Sequence, residues 1–420
     1  MGTEGLAALV RDDRVQARVY TDPAVFNAEI ECIFARAWCY VGHESQVPRP
    51  GSFIRAAIAN RPLLMVRGDD GEIAVLHNRC PHRGALLVGE RCGHAARFRC
   101  PYHAWTFRND GRLQSVPLPE GYAGIDLDDA SLSMQRAPRV AAYRGFIFAS
   151  LAADGPDLET FLDGTRAAID NIVDRSPTGQ VEVAGGCFQV RIRNNWKIYL
   201  ENMHDGLHPM IVHQPSIEPA RGMMRRPEPL SPLTEFALTV IAANGQTYET
   251  MAALPVRLFP FGHTEMAAFR ANPALDDEFA AYRNELARVR GAERADALLR
   301  EARLSTMFYP SASVQATSLQ MRVIIPETVD STLIEVWTLR LVGAPDALYR
   351  RTITLANTVH SPSSVVKHDD VGAYVRVQQG LGGGDGWVDI RRGRSDASTA
   401  VSEAYIHNQY RAWQDYMAAA

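Results

Sequence analysis

Two pairs of metal-binding side chains in one short stretch restrict this chain more than any other feature of its sequence. One residue separates Cys80 from His82, two separate Cys100 from His103, and seventeen residues lie between the pairs. Two thiolates and two imidazoles from two loops can share one metal centre. Structural zinc sites usually place two Cys in one pair and two His in the other. Here each pair is mixed, which favours a [2Fe–2S] cluster over zinc, with Cys on one iron and His on the other.

The residues around these pairs, CPHRG and CPYHAW, resemble the Rieske motif. The resemblance implies that Cys80 and Cys100 bind one iron of the cluster and that His82 and His103 bind the other. Cys92 lies between the pairs but outside the motif, so we expect it to be a loop thiol without a ligand role.

The overall composition excludes several classes of protein. The chain has 420 residues, 46% hydrophobic and 22% charged, which is typical of a globular protein and not of a disordered one. Its net charge of −4 gives no reason to expect nucleic-acid binding. No apolar run is long enough to cross a membrane, and the N-terminus lacks the basic segment of a signal peptide. We therefore expect a cytoplasmic protein that binds neither nucleic acid nor membranes.

Changes in the hydrophobic pattern predict an α+β protein with three parts. Residues 1–39 form a helical segment, which we expect to pack on the C-terminal domain. Residues 40–155 contain short apolar runs separated by Gly, Pro and Asp, which predict a small all-β domain. Residues 156–420 mix helical and strand patterns, including one long charged amphipathic helix over 275–304 and a final helix near the C-terminus.

A second group of candidate metal ligands lies at 205–213, where Asp205, His208 and His213 follow one another in a helix-like stretch. On a helix, Asp205 and His208 share a face at i, i+3, whereas His213 leaves that face unless Pro209 distorts the helix. Two imidazoles and one carboxylate form the facial triad of non-haem Fe(II) oxygenases. His204 precedes this group, and we expect it at the surface.

The Asn-Trp-Lys start of this stretch and its D-x-x-H-x-x-x-x-H spacing resemble the catalytic domain of Rieske non-haem iron oxygenases. The resemblance implies that His208 and His213 bind iron together with a distant carboxylate. We expect Asp370, with Asp369 as the alternative. It also implies that Asp205 bridges this iron and the Rieske cluster of a neighbouring subunit, where His103 is the expected partner. Asn202 either lines the site or packs the helices.

This resemblance carries expectations about fold, cofactors and partners. The C-terminal domain is expected to be an antiparallel sheet flanked by helices, of the helix-grip or START-like type. One Rieske cluster and one mononuclear Fe(II) are expected in each chain. The sequence contains no nucleotide-binding fingerprint, so a separate reductase, with or without a ferredoxin, must supply electrons. The resemblance further implies a head-to-tail trimer, either of this chain alone or as α3β3 with a small β subunit.

The resemblance is closest to the large subunits of aromatic-acid oxygenases, of the salicylate, anthranilate and terephthalate types. It implies that O2 is used to hydroxylate or dihydroxylate an aromatic carboxylate. Arg322 is our candidate for binding the carboxylate. A diacid requires a second cation, for which Arg391, Arg392 and Arg394 are available, and we favour a monoacid because it requires one cation. Apolar walls of the pocket are expected from Met210, Ile211, Phe259, Met307 and Phe308.

Three other functions remain open at this point. The same metal sites could serve an oxygenase for a neutral aromatic compound, or an O- or N-demethylase. A Rieske electron carrier or redox sensor needs only the first site. A zinc-stabilised binding module needs neither iron site.

Overall fold

The computed structural model describes residues 3–267, 277–301, 303–316, 318–393 and 398–418. The chain divides into two compact units, of which one comprises Met1–Ile33 and Glu159–Ala420 and the other Phe34–Leu158. Among the described residues, no helix is both long enough and apolar enough to span a bilayer. The expected α+β class is confirmed, because one unit consists of small β-sheets and the other combines a large antiparallel sheet with helices.

The first 33 residues alternate short helices and strands. Asp22 begins the third helix, because its side chain accepts a hydrogen bond from the N–H of Ala24 and Pro23 occupies the first helical position. That helix continues as a wider turn over Ile30–Phe34. The elements are α1 Thr3–Ala7, β1 Val10–Arg11, β2 Arg14–Gln16, α2 Arg18–Thr21 and α3 Pro23–Glu29.

The unit Phe34–Leu158 contains three small antiparallel sheets, with strand orders β6-β5-β4-β7, β10-β9-β8 and β11-β12-β3. Its hydrophobic core includes Phe53, Phe98 and Trp105, and the side chains of Cys80 and Cys100 are part of that core. The strands are β3 Cys39–His43, β4 Ser52–Ile58, β5 Arg61–Arg67, β6 Ile73–His77, β7 Cys92–His94, β8 Arg97–Arg99, β9 Thr106–Arg108, β10 Leu113–Ser115, β11 Arg139–Tyr143 and β12 Phe146–Ser150.

A seven-stranded antiparallel sheet dominates the larger unit, with the order β13-β19-β18-β17-β16-β15-β14. Strand β19 alternates buried and half-buried residues, and β18 is buried along most of its length. The strands are β13 Val181–Ile192, β14 Val256–Leu258, β15 Thr264–Ala267, β16 Arg303–Phe308, β17 Ala312–Gln315, β18 Gln320–Thr328, β19 Ser331–Leu341 and β20 Trp387–Asp389, the last of which pairs with β2.

Helices of this unit carry the candidate ligands, and α14 packs against both α6 and α7. The helices are α4 Leu158–Leu162, α5 Arg166–Asp174, α6 Trp196–Met203, α7 Pro209–Val212, α8 Gln214–Met224, α9 Pro232–Ala242, α10 Tyr248–Ala252, α11 Asp277–Arg290, α12 Ala292–Arg300, α13 Asp346–Leu355, α14 Val365–Leu381 and α15 Ala404–Ala418.

Two helix predictions were wrong in detail. The stretch containing Asp205 and His208 is not one helix, because α6 ends at Met203 and the single turn α7 starts only at Pro209. The long charged helix is divided into α11 and α12 at Gly291, whose φ of 85° is unfavourable for residues with a side chain. In both cases the hydrophobic period continues through a break in the backbone.

A buried carboxyl group connects the N-terminal segment to α6 and α15. Glu201 accepts hydrogen bonds from the hydroxyl groups of Tyr20 and Tyr410, each 2.8 Å from its Oε1 atom. Burial raises the pKa of Glu201 from 4.5 to about 7, although both hydroxyl groups stabilise its ionised form. At neutral pH this carboxyl group is therefore close to half protonated.

Glu201 is expected to make stability depend on pH. The pKa of Glu201 is about 7 in the folded protein and 4.5 as the ordinary value. Its contribution to the free energy of unfolding is therefore fully present below pH 4.5 and is lost as the pH rises through about 7. The free energy of unfolding falls by up to about 3 kcal/mol across that interval. Glu201→Gln should remove this slope, as measured by urea denaturation between pH about 5 and about 8. Glu159→Gln, at an exposed position, is the control. If the free energy of unfolding depends on pH in the same way in Glu201→Gln and in the unsubstituted protein, the expectation is wrong.

Candidate metal centres

The two Cys-His loops have the same backbone conformation. In each, the cysteine N–H donates to the carbonyl five residues later, and the cysteine carbonyl accepts from the N–H four residues later. That fourth residue has positive φ in both loops, 76° at Gly84 and 56° at Ala104. The spacings that begin at Cys80 and Cys100 are thus two versions of one turn, and each brings a buried thiol and an imidazole to the same end of the unit.

The side chains of these loops fit a [2Fe–2S] cluster. The rings of His82 and His103 lie 4.8 Å apart between centroids, and His82 stacks on Trp105 at 4.9 Å. The Nδ1 atom of His103 is buried and has no hydrogen-bond partner among the described residues. A nitrogen that binds a metal does not need such a partner. Cys80 and Cys100 are buried free thiols. Cys92, in contrast, is exposed on β7.

Three side chains in the larger unit converge on one point. The Oδ1 atom of Asp370 lies 3.5 Å from Nε2 of His208 and 3.4 Å from Nε2 of His213. One ligand atom from each of the three residues lies within 4.8 Å of the others. Asp370 Oδ1 is buried without a hydrogen-bond partner in the described part of the chain. This donor set and this unsatisfied oxygen fit a mononuclear iron with open coordination positions.

Asp369 and Asp370 are adjacent on α14 but face different nitrogens of the histidines. Asp370 approaches the Nε2 atoms, whereas Asp369 Oδ2 lies 3.4 Å from Nδ1 of His213. Because successive residues of a helix point about 100° apart, only one of the two carboxylates can face the ligand cluster. The geometry favours Asp370 as the ligand and places Asp369 where it can orient the imidazole of His213.

Asp205 faces His208 as Asp369 faces His213, since its Oδ2 atom lies 3.6 Å from Nδ1 of His208. Burial disfavours the charged form of His208, but the carboxylates of Asp205 and Asp370 outweigh burial and raise its pKa to about 9. The free histidine therefore carries a proton that a bound metal must displace. Each of the two imidazoles has one nitrogen toward Asp370 and the other toward a separate aspartate.

The other polar residues of this region have structural partners. Asn202 accepts a hydrogen bond from the hydroxyl of Tyr374 at 2.7 Å, which joins α6 to α14 one turn beyond Asp370. The expectation that His204 lies at the surface was wrong, because it is fully buried and its Nδ1 is 2.7 Å from Thr264 Oγ1. His368 contacts the carbonyl of Ser364 in its own helix.

Arg322 lies on β18, buried with 8% of its surface exposed. Its Nη2 atom is 3.3 Å from Nε2 of His360, and its Nε atom is buried without a hydrogen-bond partner in the described chain. Ser313 is directly opposite Arg322 in the sheet, and Met307 is opposite Ser313, so the three share one face. Met307 is buried there and contacts Gln409 of α15 through its sulfur.

The remaining expected wall residues are scattered. Phe308 is buried but follows Met307, so it points to the opposite face of the sheet. Phe259 lies against Gly164 after the edge strand β14, at the far end of the sheet from β18. Ile211 is 66% exposed on the single turn α7, and its place in an apolar wall stays a prediction. Met210 is half-buried on that turn.

The sequence analysis gave no role to Lys367 and Glu403, and considered Arg392 only as a cation for a second substrate carboxylate. Lys367 is buried on α14, with its amine 4.7 Å from the ring of Tyr199. Arg392 contacts Asp205, and Glu403 contacts Arg392. Of the arginines considered for a second carboxylate, Arg391 pairs with Asp389 in the exposed part of the loop, and Arg394 lies outside the described residues. For Lys367, the sequence offered one signal, because only two of its 44 basic residues are lysines. Both lysines are buried in the structure.

Comparison with known families divides the chain in a similar way. Residues 37–130 match the Rieske [2Fe-2S] domain, and residues 179–419 match the ring hydroxylating alpha subunit catalytic domain. Together the two matches include every candidate metal ligand described above.

Similar proteins were also found by sequence and by structure. The large subunit of anthranilate 1,2-dioxygenase from Acinetobacter baylyi is 29% identical, over 90% of this chain and 80% of that protein. Toluate 1,2-dioxygenase subunit alpha from Pseudomonas putida is 31% identical, over 94% and 86%. A crystal structure of a naphthalene 1,2-dioxygenase variant bound to phenanthrene has a TM-score of 0.82 at 22% identity, covering 100% of this chain and 95% of that one.

The adjacent aspartates offer a matched pair of substitutions. We expect Asp370→Asn to weaken iron binding at the mononuclear site by more than about 100-fold, because it removes a ligand, and Asp369→Asn to weaken it by about 10- to 100-fold, because it removes an orienting contact. Iron content per chain and titration with Co²⁺ measure the difference, while visible absorbance reports whether the cluster is intact. A larger loss for Asp369→Asn than for Asp370→Asn contradicts the assignment.

Proposed function

Because the chain belongs to the family of ring hydroxylating alpha subunits, we propose that it is the terminal oxygenase component that dihydroxylates an aromatic carboxylate. The observation that carries the substrate class is the buried guanidinium of Arg322, which has no carboxylate partner among the described residues. The two relatives found by sequence are named for oxygenases of aromatic acids, whereas the similar solved structure is that of a naphthalene dioxygenase.

The family carries a Rieske cluster and a mononuclear non-haem iron. When bound, the cluster supplies a store for one electron and the iron supplies open positions at which O2 can be reduced. We assign Cys80, His82, Cys100 and His103 to the cluster and His208, His213 and Asp370 to the iron. A separate reductase provides the electrons, either directly or through a ferredoxin.

Arg322 suits a substrate carboxylate because its surroundings leave its charge uncompensated. Burial, followed by the charge of Arg322, lowers the pKa of His204 to about 3, and burial followed by Arg322 lowers that of His360 well below its ordinary value. Both imidazoles are therefore neutral at neutral pH. A buried charge without a counter-ion is unfavourable, and a carboxylate that binds a guanidinium in a dry site restores the balance.

The sheet face around Arg322 is polar, which also favours a polar substrate. Ser313 is opposite Arg322, Gln320 is two residues before it on the same face, and both polar atoms of the Gln320 side chain are buried without described partners. Gln315 hydrogen-bonds His360 at 3.2 Å. An unsubstituted hydrocarbon would leave these buried polar groups without partners, and a substrate that cannot satisfy such groups is rejected strongly.

We also propose a head-to-tail trimer in which Asp205 connects the iron site to the cluster of the neighbouring subunit through His103. Alpha subunits of this family assemble as α3 or α3β3 oligomers. The charge distribution supports such an assembly. Residues 79–108 contain six arginines and one glutamate, whereas the whole chain is net negative. The basic cluster loops can therefore dock on an acidic surface of the next copy.

A single turnover with a panel of substrates tests the proposal. The reduced holoenzyme, freed of reductant, is mixed with O2 and one compound at a time: benzoate, salicylate, anthranilate, terephthalate, or the neutral toluene and naphthalene. We expect dihydroxylated product from one or more of the carboxylates and little from the neutral compounds, with mass spectrometry as the measurement. Product from neutral compounds alone contradicts the aromatic-acid assignment. No product with both metal sites loaded favours an electron carrier.

Substitution of Arg322 tests the carboxylate contact directly. Arg322→Met should lower kcat/KM for the preferred carboxylate by about 30-fold or more, because loss of one partner of a buried ion pair costs about 2–5 kcal/mol. Arg340→Gln is the matched control, since Arg340 lies on the neighbouring strand β19 and pairs with Asp346 near the surface. Equal losses for the acid and for its neutral amide analogue would mean that Arg322 acts on folding and not on the carboxylate.

A further inference from the structure

Arg392 makes contact with a carboxylate beside the iron site from a segment far along the chain. Its Nη2 atom lies 3.2 Å from Oδ1 of Asp205 and 3.5 Å from Oε1 of Glu403. We propose that Arg392 is a positioning residue that holds Asp205 in the orientation needed for electron transfer from the cluster to the iron. The inference rests on the proposed bridging role of Asp205.

The backbone holds the arginine in place independently of its side chain. The N–H of Arg392 donates to Oε2 of Glu403 at 2.9 Å, and the N–H of Glu403 donates to the carbonyl of Arg392 at 2.9 Å. Glu403 immediately precedes α15, so its carbonyl already accepts the first bond of that helix from His407. The start of a long buried helix therefore sets where the guanidinium lies.

The contact helps to fix the plane of the Asp205 carboxylate, so that one oxygen faces the iron ligand His208. Oδ1 accepts hydrogen bonds from the N–H of Leu207 at 3.0 Å and from Arg392 at 3.2 Å. Oδ2 is then directed toward Nδ1 of His208, 3.6 Å away. Rotation of the carboxylate out of this plane would break both bonds to Oδ1. Carboxylates that orient metal-bound imidazoles depend on such supporting contacts.

Close packing of the loop leaves little room for an alternative arrangement. The N–H of Gly206 donates to the carbonyl of Ala400 at 2.6 Å, and a Cβ atom on Gly206 would lie 2.8 Å from that of Ala400. The segment before α15 thus lies directly on the loop that contains Asp205. Without the guanidinium, Asp205 and Glu403 would be two neighbouring carboxylates with no cation between them, and their repulsion would turn Asp205 away from His208.

The test measures electron transfer in the iron-loaded holoenzyme. Reduced protein is mixed with O2 and one carboxylate, namely the member of the substrate panel that gives most product. Oxidation of the cluster is followed by its visible absorbance. The variants are Arg392→Gln, Arg392→Lys, Asp205→Asn and the double variant Arg392→Gln with Glu403→Gln. Arg391→Gln is the matched control, because the adjacent Arg391 is exposed and pairs with Asp389.

We expect Arg392→Gln to slow cluster oxidation at least about tenfold with cluster content and carboxylate affinity unchanged, as outer carboxylate contacts typically matter by about 10- to 100-fold. Arg392→Lys should recover part of the rate, and so should the double variant, which removes the repulsion. Co²⁺ titration of the iron-free mononuclear site provides a second measurement, with affinity expected to fall about tenfold or less. Arg391→Gln should match the unsubstituted protein.

Two results overturn different parts of the argument. If Asp205→Asn slows cluster oxidation but Arg392→Gln does not, Arg392 has no positioning role while the function proposed for Asp205 stands. If Asp205→Asn leaves the rate unchanged, the bridging role itself is wrong. Should Arg392→Gln fail to fold or to retain iron, Arg392→Met takes its place, and an unchanged rate of cluster oxidation in that variant overturns the inference.

Discussion

One buried carboxylate organises the elements that carry the iron site. Glu29 is completely buried and accepts hydrogen bonds from Lys197 Nζ at 2.6 Å and from the indoles of Trp196 and Trp413 at 2.8 and 2.7 Å. It thereby joins the N-terminal segment to the first turn of α6 and to α15. Breaking such a pair by removing one partner costs about 3–5 kcal/mol, because the other charge remains buried. The loop after α6 carries Asp205 and His208, and the segment before α15 carries Glu403.

The iron site repeats one arrangement at each histidine. Asp370 faces one nitrogen of both imidazoles, while Asp205 and Asp369 face the remaining nitrogen of His208 and His213 respectively. A histidine held between a ligand carboxylate and an orienting carboxylate has a defined tautomer and ring direction. The surroundings of Arg322 are different, since the buried guanidinium contacts His360, whose pKa is well below its ordinary value, and this uncompensated charge is the basis of the proposed carboxylate contact.

Local sequence patterns predicted the fold class and the strands well, and failed where backbone geometry interrupts a hydrophobic period. Strand β19 follows its alternating residues, and β18 lies where the sequence predicts a strand although it is buried along most of its length. The period that continues through Asp205 and through Gly291 concealed two breaks, because hydrophobic spacing reports which face is buried and not whether the hydrogen-bond ladder continues. His204 was misplaced for a related reason, since its burial depends on Thr264, sixty residues away.

The sequence by itself determined the two metal motifs, because their ligands lie close together along the chain and short spacings translate directly into turn geometry. It also determined the family, through the residues that surround those ligands. Only the tertiary structure favours Asp370 over Asp369, because the two are adjacent and differ in the direction of the side chain on α14. It alone brought Arg392 and Glu403 to Asp205 and His360 to Arg322, since contacts between distant segments depend on how helices and sheet pack and leave no local pattern in the sequence.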